Sequence, residues 1–143
     1  MLDRYHTQEK VDLLRAIKAR FGDEVLQIVK QVELERAAKD WQQLGEQSED
    51  NSMEAFIRLL WGPLEEAGFV YTREDKEDGV QMICTKCPIH EMAKEMNATD
   101  LMYHLICVTD ECTATAFNPQ IGFKRTKTLM QGDEYCNHFY YMK

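Results

Sequence analysis

Long hydrophobic runs are missing from this chain. No stretch approaches the roughly 18 apolar residues of a membrane-spanning helix, and the opening MLDRYHTQEK is too polar for the apolar region of a secretory signal. A cytoplasmic location is therefore expected, where thiols stay reduced. Proline is scarce, with only Pro63, Pro88 and Pro119, and no Pro/Gly tract, low-complexity segment or internal repeat marks a linker. The 143 residues read as one domain, 1–143, because single cores commonly span about 100–150 residues. Cations are also short: 17 Lys and Arg stand against 25 Asp and Glu, for a net charge of −8. Phosphate backbones are held by clustered cations, so no nucleic-acid partner is expected, and no membrane partner either. A local cationic pocket for a small anion remains compatible with that total.

What is present is a globular composition, 44% hydrophobic and 29% charged. Residues 1–67 read as helical. Val11, Leu14 and Ile17 lie at helical spacing within 8–20. A second helix, capped by Asp23, carries Val25, Ile28, Val29, Val32, Ala37, Trp41 and Leu44, with Gly45 as its stop. Asn51 and Glu54 approximate a capping box for a third, striped with Met53, Phe56, Ile57, Leu60, Trp61 and Leu64; Gly62-Pro63 should kink or break it. The tryptophan faces read as core, with a helix-mediated homo-oligomer as the other use for them.

Residues 68–143 mix strands and helices. Phe69–Arg73 and a strand bearing Val80, Met82 and Cys84 flank the charged loop Glu74–Gly79, a hairpin pattern. Pro88 suits a helix first turn, and a further helix is expected from about Thr99 to Glu111. The fold class predicted is α+β: N-terminal helices packed on an antiparallel sheet of β-hairpins, with two further helices between them. In the last hairpin, a two-residue Gly132-Asp133 turn would pair Leu129 with Cys136, set Lys127 opposite His138 and Arg125 opposite Tyr140. Arg125, Lys127, Cys136, His138 and Tyr140 then share one face.

Five cysteines, Cys84, Cys87, Cys107, Cys112 and Cys136, all fall in the second half. In a reducing compartment such crowding points to catalysis or metal binding, with small core residues as the plain alternative. Cys84-Thr-Lys-Cys87 is a CxxC unit without the βαβ context of a redox dithiol, and its zinc-knuckle partners are imperfectly spaced. His90 offers a further ligand, or simply faces solvent. Cys87 precedes Pro88 at a helix start, where the dipole favours thiolate, or else it is a buried, unreactive N-cap-like cysteine. His104, Cys107 and Glu111 fall on one face of the expected 99–111 helix. The rival apolar stripe of Leu101, Leu105 and Val108 would turn His104 and Glu111 to solvent.

The ordered string Cys87-Pro88, Cys107-x2-Asp110, Asn118-Pro119, Arg125-Thr126-Lys127-Thr128-Leu129 and Gly132-Asp133-x2-Cys136 resembles the L-2-amino-thiazoline-4-carboxylic acid hydrolase family. Residues 21–45 resemble that family's helical lead-in. A Gly-Asp-x-x-Cys hairpin is similar to one in vinyl-reductase-like small-molecule-binding domains. The family often places Asp after the last cysteine, where this chain has Asn137. The resemblance implies hydrolytic opening of a 2-aminothiazoline ring, and a small-molecule substrate. It implies a catalytic set of Cys87, Cys107, Asp110, Cys136 and His138, with Arg125, Lys127, Asn118 and Thr128 on the substrate. Two mechanisms stay open: a cysteine nucleophile without cofactor, or Cys87, Cys107 and Cys136, with or without His138, holding a zinc ion that activates water. Apart from an enzyme, the pattern admits a small-molecule sensor that performs no turnover, or a cysteine-ligated zinc module.

Overall fold

A computed structural model describes residues 3–143. Three helices come first: α1 (Arg4–Phe21), α2 (Glu24–Gln47) and α3 (Met53–Glu66). The hairpin β1 (Val70–Lys76) and β2 (Gly79–Lys86) follows, then α4 (Pro88–Glu95), α5 (Thr99–Leu105), a short 3-10 turn (Cys107–Thr109), α6 (Asp110–Phe117), β3 (Ile121–Lys124), a second 3-10 turn (Leu129–Gln131) and β4 (Cys136–Met142). The strands form one antiparallel sheet in the order β1-β2-β4-β3. The fold is α+β as expected, but three helices, not two, lie between the hairpin and β3. No helix is long and apolar enough to cross a membrane among the described residues.

Several local expectations are corrected, each by a tertiary or side-chain cause. Gly45 does not end α2; it is buried inside that helix, where an added Cβ would lie 2.1 Å from the Phe117 carbonyl oxygen. The glycine serves close approach of α6. Pro63 does not break α3. The carbonyl it leaves unbonded is that of Leu59, which lies on the exposed side, where water can satisfy it. Ser52, not Asn51, caps this helix by accepting from Ala55 N at 3.2 Å. The charged loop shrinks to Glu77-Asp78, because strand pairing continues to Lys76 opposite Gly79.

The last hairpin differs most. β3 ends at Lys124, and its register pairs Phe123 with Tyr140 and Lys124 with Phe139, two residues from the expected alignment. Thr128 takes up the slack. Its backbone N donates to Asp133 Oδ2 (2.9 Å), its carbonyl accepts from Asp133 N (3.1 Å), and its side chain caps the second 3-10 turn. Gly132 closes that turn at φ 97°, a left-handed conformation that favours glycine. A two-residue shift is even, so it leaves side chains on their original faces. The one strand over Ile121–Met130 is thereby replaced by four paired residues and a looped return.

The interior has two hydrophobic clusters. One joins Phe56, Ile57 and Trp61 of α3, Phe117 and the sheet residues Met82, Cys84, Ile121 and Tyr140. The other joins Val11, Val25, Val29, Leu101, Met102, Leu105 and Met130. Cys87 and Cys136 pack against the first, Cys107 packs against the second, and Ile89 touches both. The residues with chemical capacity therefore lie along the seam between two cores.

Candidate active site

The seam is built from short elements with separate local reasons. Cys87 is extended (φ −129°, ψ 110°), as a residue before proline must be, and its sulfur accepts from His90 N at 3.4 Å as the N-cap of α4. Cys84 and Cys136 are direct partners across β2 and β4, and Met82 pairs with His138. Cys136 Sγ accepts from Leu129 N at 3.2 Å, at the start of the second 3-10 turn. The expected 99–111 helix ends at Leu105, and Ile106 (φ −122°, ψ −61°) redirects the chain. Asp110 thus opens a new helix, α6, with its side chain toward the sheet side of the seam.

Arg125 is the hub. Its Nη1 donates to Asp110 Oδ2 at 2.7 Å and to the Cys107 carbonyl at 2.8 Å, and its Nη2 donates to Tyr103 Oη at 3.3 Å. The guanidinium also lies 5.8 Å from the Tyr103 ring centroid. Its side chain is 6% exposed, and that of Asp110 is 25% exposed. His138 Nε2 lies 3.8 Å from the same Asp110 oxygen. Among the described residues no protein hydrogen bond reaches the other oxygen, Oδ1. Arg125 also borders a cavity of about 460 Å³, whose wall includes Tyr103, Glu111, Phe123, Lys124 and Thr128.

Burial governs the titrating groups. It pushes the Cys84 thiol up to about 12 and raises Cys87, Cys107 and Cys136 as well. These four thiols and Asp110 are close enough for charge on one to act on others. For Cys87 the backbone donors of His90 and Ile89 pull the other way and lose to desolvation. Of the two expectations for Cys87, a dipole-favoured thiolate and a buried N-cap cysteine, its surroundings agree with the second, because removal from water outweighs the backbone donors. Burial also lowers the His138 pKa, with Asp110 opposing and Arg125 assisting.

The structure therefore brings together Cys87, Cys107, Cys136, Asp110, Arg125 and His138. Thr128 reaches the cavity wall, although its hydroxyl donates to Gln131 Oε1 (2.9 Å). Lys127 and Asn118 lie elsewhere. Lys127 is exposed, with its ammonium 4.9 Å from the Tyr135 ring centroid, because β3 ends before the strand could carry it inward. Asn118 caps the far end of α6, donating to the Asn51 carbonyl and accepting from Gln120 N. His104 holds the Asp100 carbonyl, and Glu111 pairs with Lys30, so the expected shared helix face with Cys107 does not form. Among the described residues, no group of three or more His, Cys, Asp or Glu side chains is arranged to hold a metal ion. Tyr103 and Trp61 went unmarked as site residues. Trp61 lies in an apolar stripe and Tyr103 beside one, and no short motif flags either.

A sequence model described as L-2-amino-thiazoline-4-carboxylic acid hydrolase matches residues 4–140, nearly the whole chain. The chain belongs to that family. This L-2-amino-thiazoline-4-carboxylic acid hydrolase family member shows no match among curated proteins. Membership makes it a hydrolase of this family in general and agrees with the α+β architecture. The match spans every element of the seam, from the α1 residues that pack against α5 to Tyr140 of β4.

Proposed function

We propose that this family member hydrolyses a small cyclic amidine-type acid of the 2-aminothiazoline-4-carboxylate class by direct attack of water, with Asp110 as the base. The observation that carries the reading is the asymmetry of the Asp110 carboxylate. Oδ2 is taken by Arg125, itself a residue of the cavity wall, while Oδ1 has no protein hydrogen-bond partner among the described residues. A carboxylate so held keeps its orientation and offers one lone-pair face to a water molecule. The raised thiol pKa values argue against a resting cysteine thiolate as the attacking group.

The proton balance closes on Asp110. Water adds to the amidine carbon between sulfur and the two nitrogens. Asp110 takes one water proton and passes it to the ring nitrogen. The tetrahedral adduct then forms its carbonyl as the carbon–sulfur bond breaks, and Asp110 moves the remaining hydroxyl proton to the departing sulfur. One water is consumed and one free thiol appears in a carbamoylated cysteine. Arg125 still has hydrogens on Nη2 and Nε beyond its Asp110 contact, and with Lys124 at the cavity edge it meets the substrate carboxylate.

The assay is thiol release from 2-aminothiazoline-4-carboxylate by the purified chain. Asp110→Asn should lower kcat by roughly 10²–10⁴-fold, the usual worth of general base catalysis. Cys87→Ala should leave measurable turnover. Loss of all turnover in Cys87→Ala, with its fold intact, would replace this reading by nucleophilic catalysis. Ligand-induced thermal stabilisation without thiol release would replace it by a binding module.

A further inference from the structure

His138 lies at the end of a buried hydrogen-bond chain that the proton balance above leaves unused. Trp61 Nε1 lies 3.1 Å from Tyr140 Oη, and Tyr140 Oη lies 3.5 Å from His138 Nδ1. The Trp61 and Phe123 rings flank the imidazole, at centroid distances of 5.1 and 5.5 Å. Tyr140 is 1% exposed, so its hydroxyl must find partners inside the protein.

The direction of each bond follows from donor chemistry. An indole N–H only donates, so Trp61 donates to Tyr140 Oη. That leaves the Tyr140 hydrogen itself, and among the described residues the acceptor within reach is His138 Nδ1. The reverse arrangement, with His138 donating from Nδ1, would strand a buried hydroxyl hydrogen without an acceptor. A neutral imidazole that accepts at Nδ1 carries its hydrogen at Nε2. Nε2 is the atom facing Asp110 Oδ2 at 3.8 Å, a gap that a small movement of either side chain would turn into a hydrogen bond.

We infer that Tyr140, backed by Trp61, is a positioning residue that holds His138 as the Nε2–H tautomer with that hydrogen directed at Asp110. Both imidazole nitrogens are then committed, which withholds His138 from the role of base. Asp110 Oδ2 accepts from Arg125 and faces His138 Nε2 across 3.8 Å, while Oδ1 has no protein partner among the described residues. The catalytic consequence rests on the proposed reading of Asp110; the tautomer does not.

The test is a long-range ¹H–¹⁵N correlation spectrum of the ¹⁵N-histidine-labelled 143-residue chain near pH 7.5, with the His138 signals assigned by their loss in His138→Gln. The expected pattern is a single Nε2–H tautomer for His138 in the wild type. Tyr140→Phe should convert it to mixed or Nδ1–H tautomers and lower kcat by about tenfold or more with little change in KM. A wild-type spectrum showing an Nδ1–H or charged ring overturns the inference, and that measurement stands even if Tyr140→Phe does not fold. An unchanged tautomer in folded Tyr140→Phe overturns it too. Were the tautomer as expected but 2-aminothiazoline-4-carboxylate left intact by the wild type, the positioning inference would hold and the substrate reading would fail.

Discussion

Two arginines of this protein make the same kind of bond in opposite surroundings. Arg73, on β1, holds Glu54 with two hydrogen bonds of 2.7 Å and also touches Asp75, with side-chain exposures of 33% and 60% for Arg73 and Glu54. Arg125 makes one bond of equal length to Asp110, with exposures of 6% and 25%. The bond lengths match and the energetics do not. An exposed pair exchanges good hydration for a contact worth about 0.2–1 kcal/mol. In the inner pair the guanidinium is nearly dry and the carboxylate keeps only part of its water, so removing the cation leaves a charge that water replaces incompletely. The better-formed bidentate bridge should matter less than the single bond at the site.

The largest effect should follow from breaking the buried pair. Arg125→Met is expected to lower unfolding free energy by about 3–5 kcal/mol, because the Asp110 carboxylate is left without its cation. Adding Asp110→Asn to Arg125→Met should restore much of that loss, since it removes the unpaired charge. Denaturant unfolding of the single and double variants reads both numbers. Equal losses for the single variant and for Arg73→Ala would break the contrast.

A second effect concerns pH and arises in the buried region alone. Cys84 is raised from 9.0 to about 12 in the fold. A raised thiol contributes stability that is fully present below the unfolded value and is lost as pH rises, since the unfolded chain releases its proton first. Between pH 9 and about 12, the Cys84 thiol should cost up to roughly 1.4 kcal/mol per pH unit. His138 acts at the other limb. Its lowered folded pKa means that stability is complete above about 6.5 and falls as acid protonates the unfolded ring first. Thermal unfolding from pH 5 to 11 should therefore show a dome. In Cys84→Ala, stability should start lower but decline less steeply above pH 9.

These contrasts also explain how much could be read beforehand. The α1–α3 periodicity, the hairpin signals and the cysteine string announce themselves locally, and the α+β class follows from them. Of the five residues expected on one face, Cys136, His138 and Tyr140 keep it because they alternate within β4; Arg125 joins them from beyond the end of β3, and Lys127 does not. Gly45 and the shortening of β3 were not legible. The first depends on the Phe117 carbonyl arriving from α6, and the second on side-chain bonds from Thr128, Asp133 and Asn137 that replace strand pairing. The cysteine string could suggest convergence, but not that burial would outweigh the helix dipole at Cys87. That outcome depends on how two cores close over the thiol.

The smallest expected effect sharpens the comparison most. Arg73→Ala removes a bidentate contact to Glu54 and a second one to Asp75, yet both carboxylates turn to water when it goes. The loss should be about 0.2–1 kcal/mol and shrink further in high salt, because salt screens an exposed pair far more than a buried one. Turnover should not change, since the Arg73 contacts, to Glu54 and Asp75, involve no residue of the site. The corresponding Arg125 loss should be nearly indifferent to salt, as its partner is shielded by protein rather than by ions. Denaturation of Arg73→Ala and Arg125→Met at low and high salt gives four numbers. Salt sensitivity in the Arg125 variant and none in the Arg73 variant would show that burial does not set the difference between them.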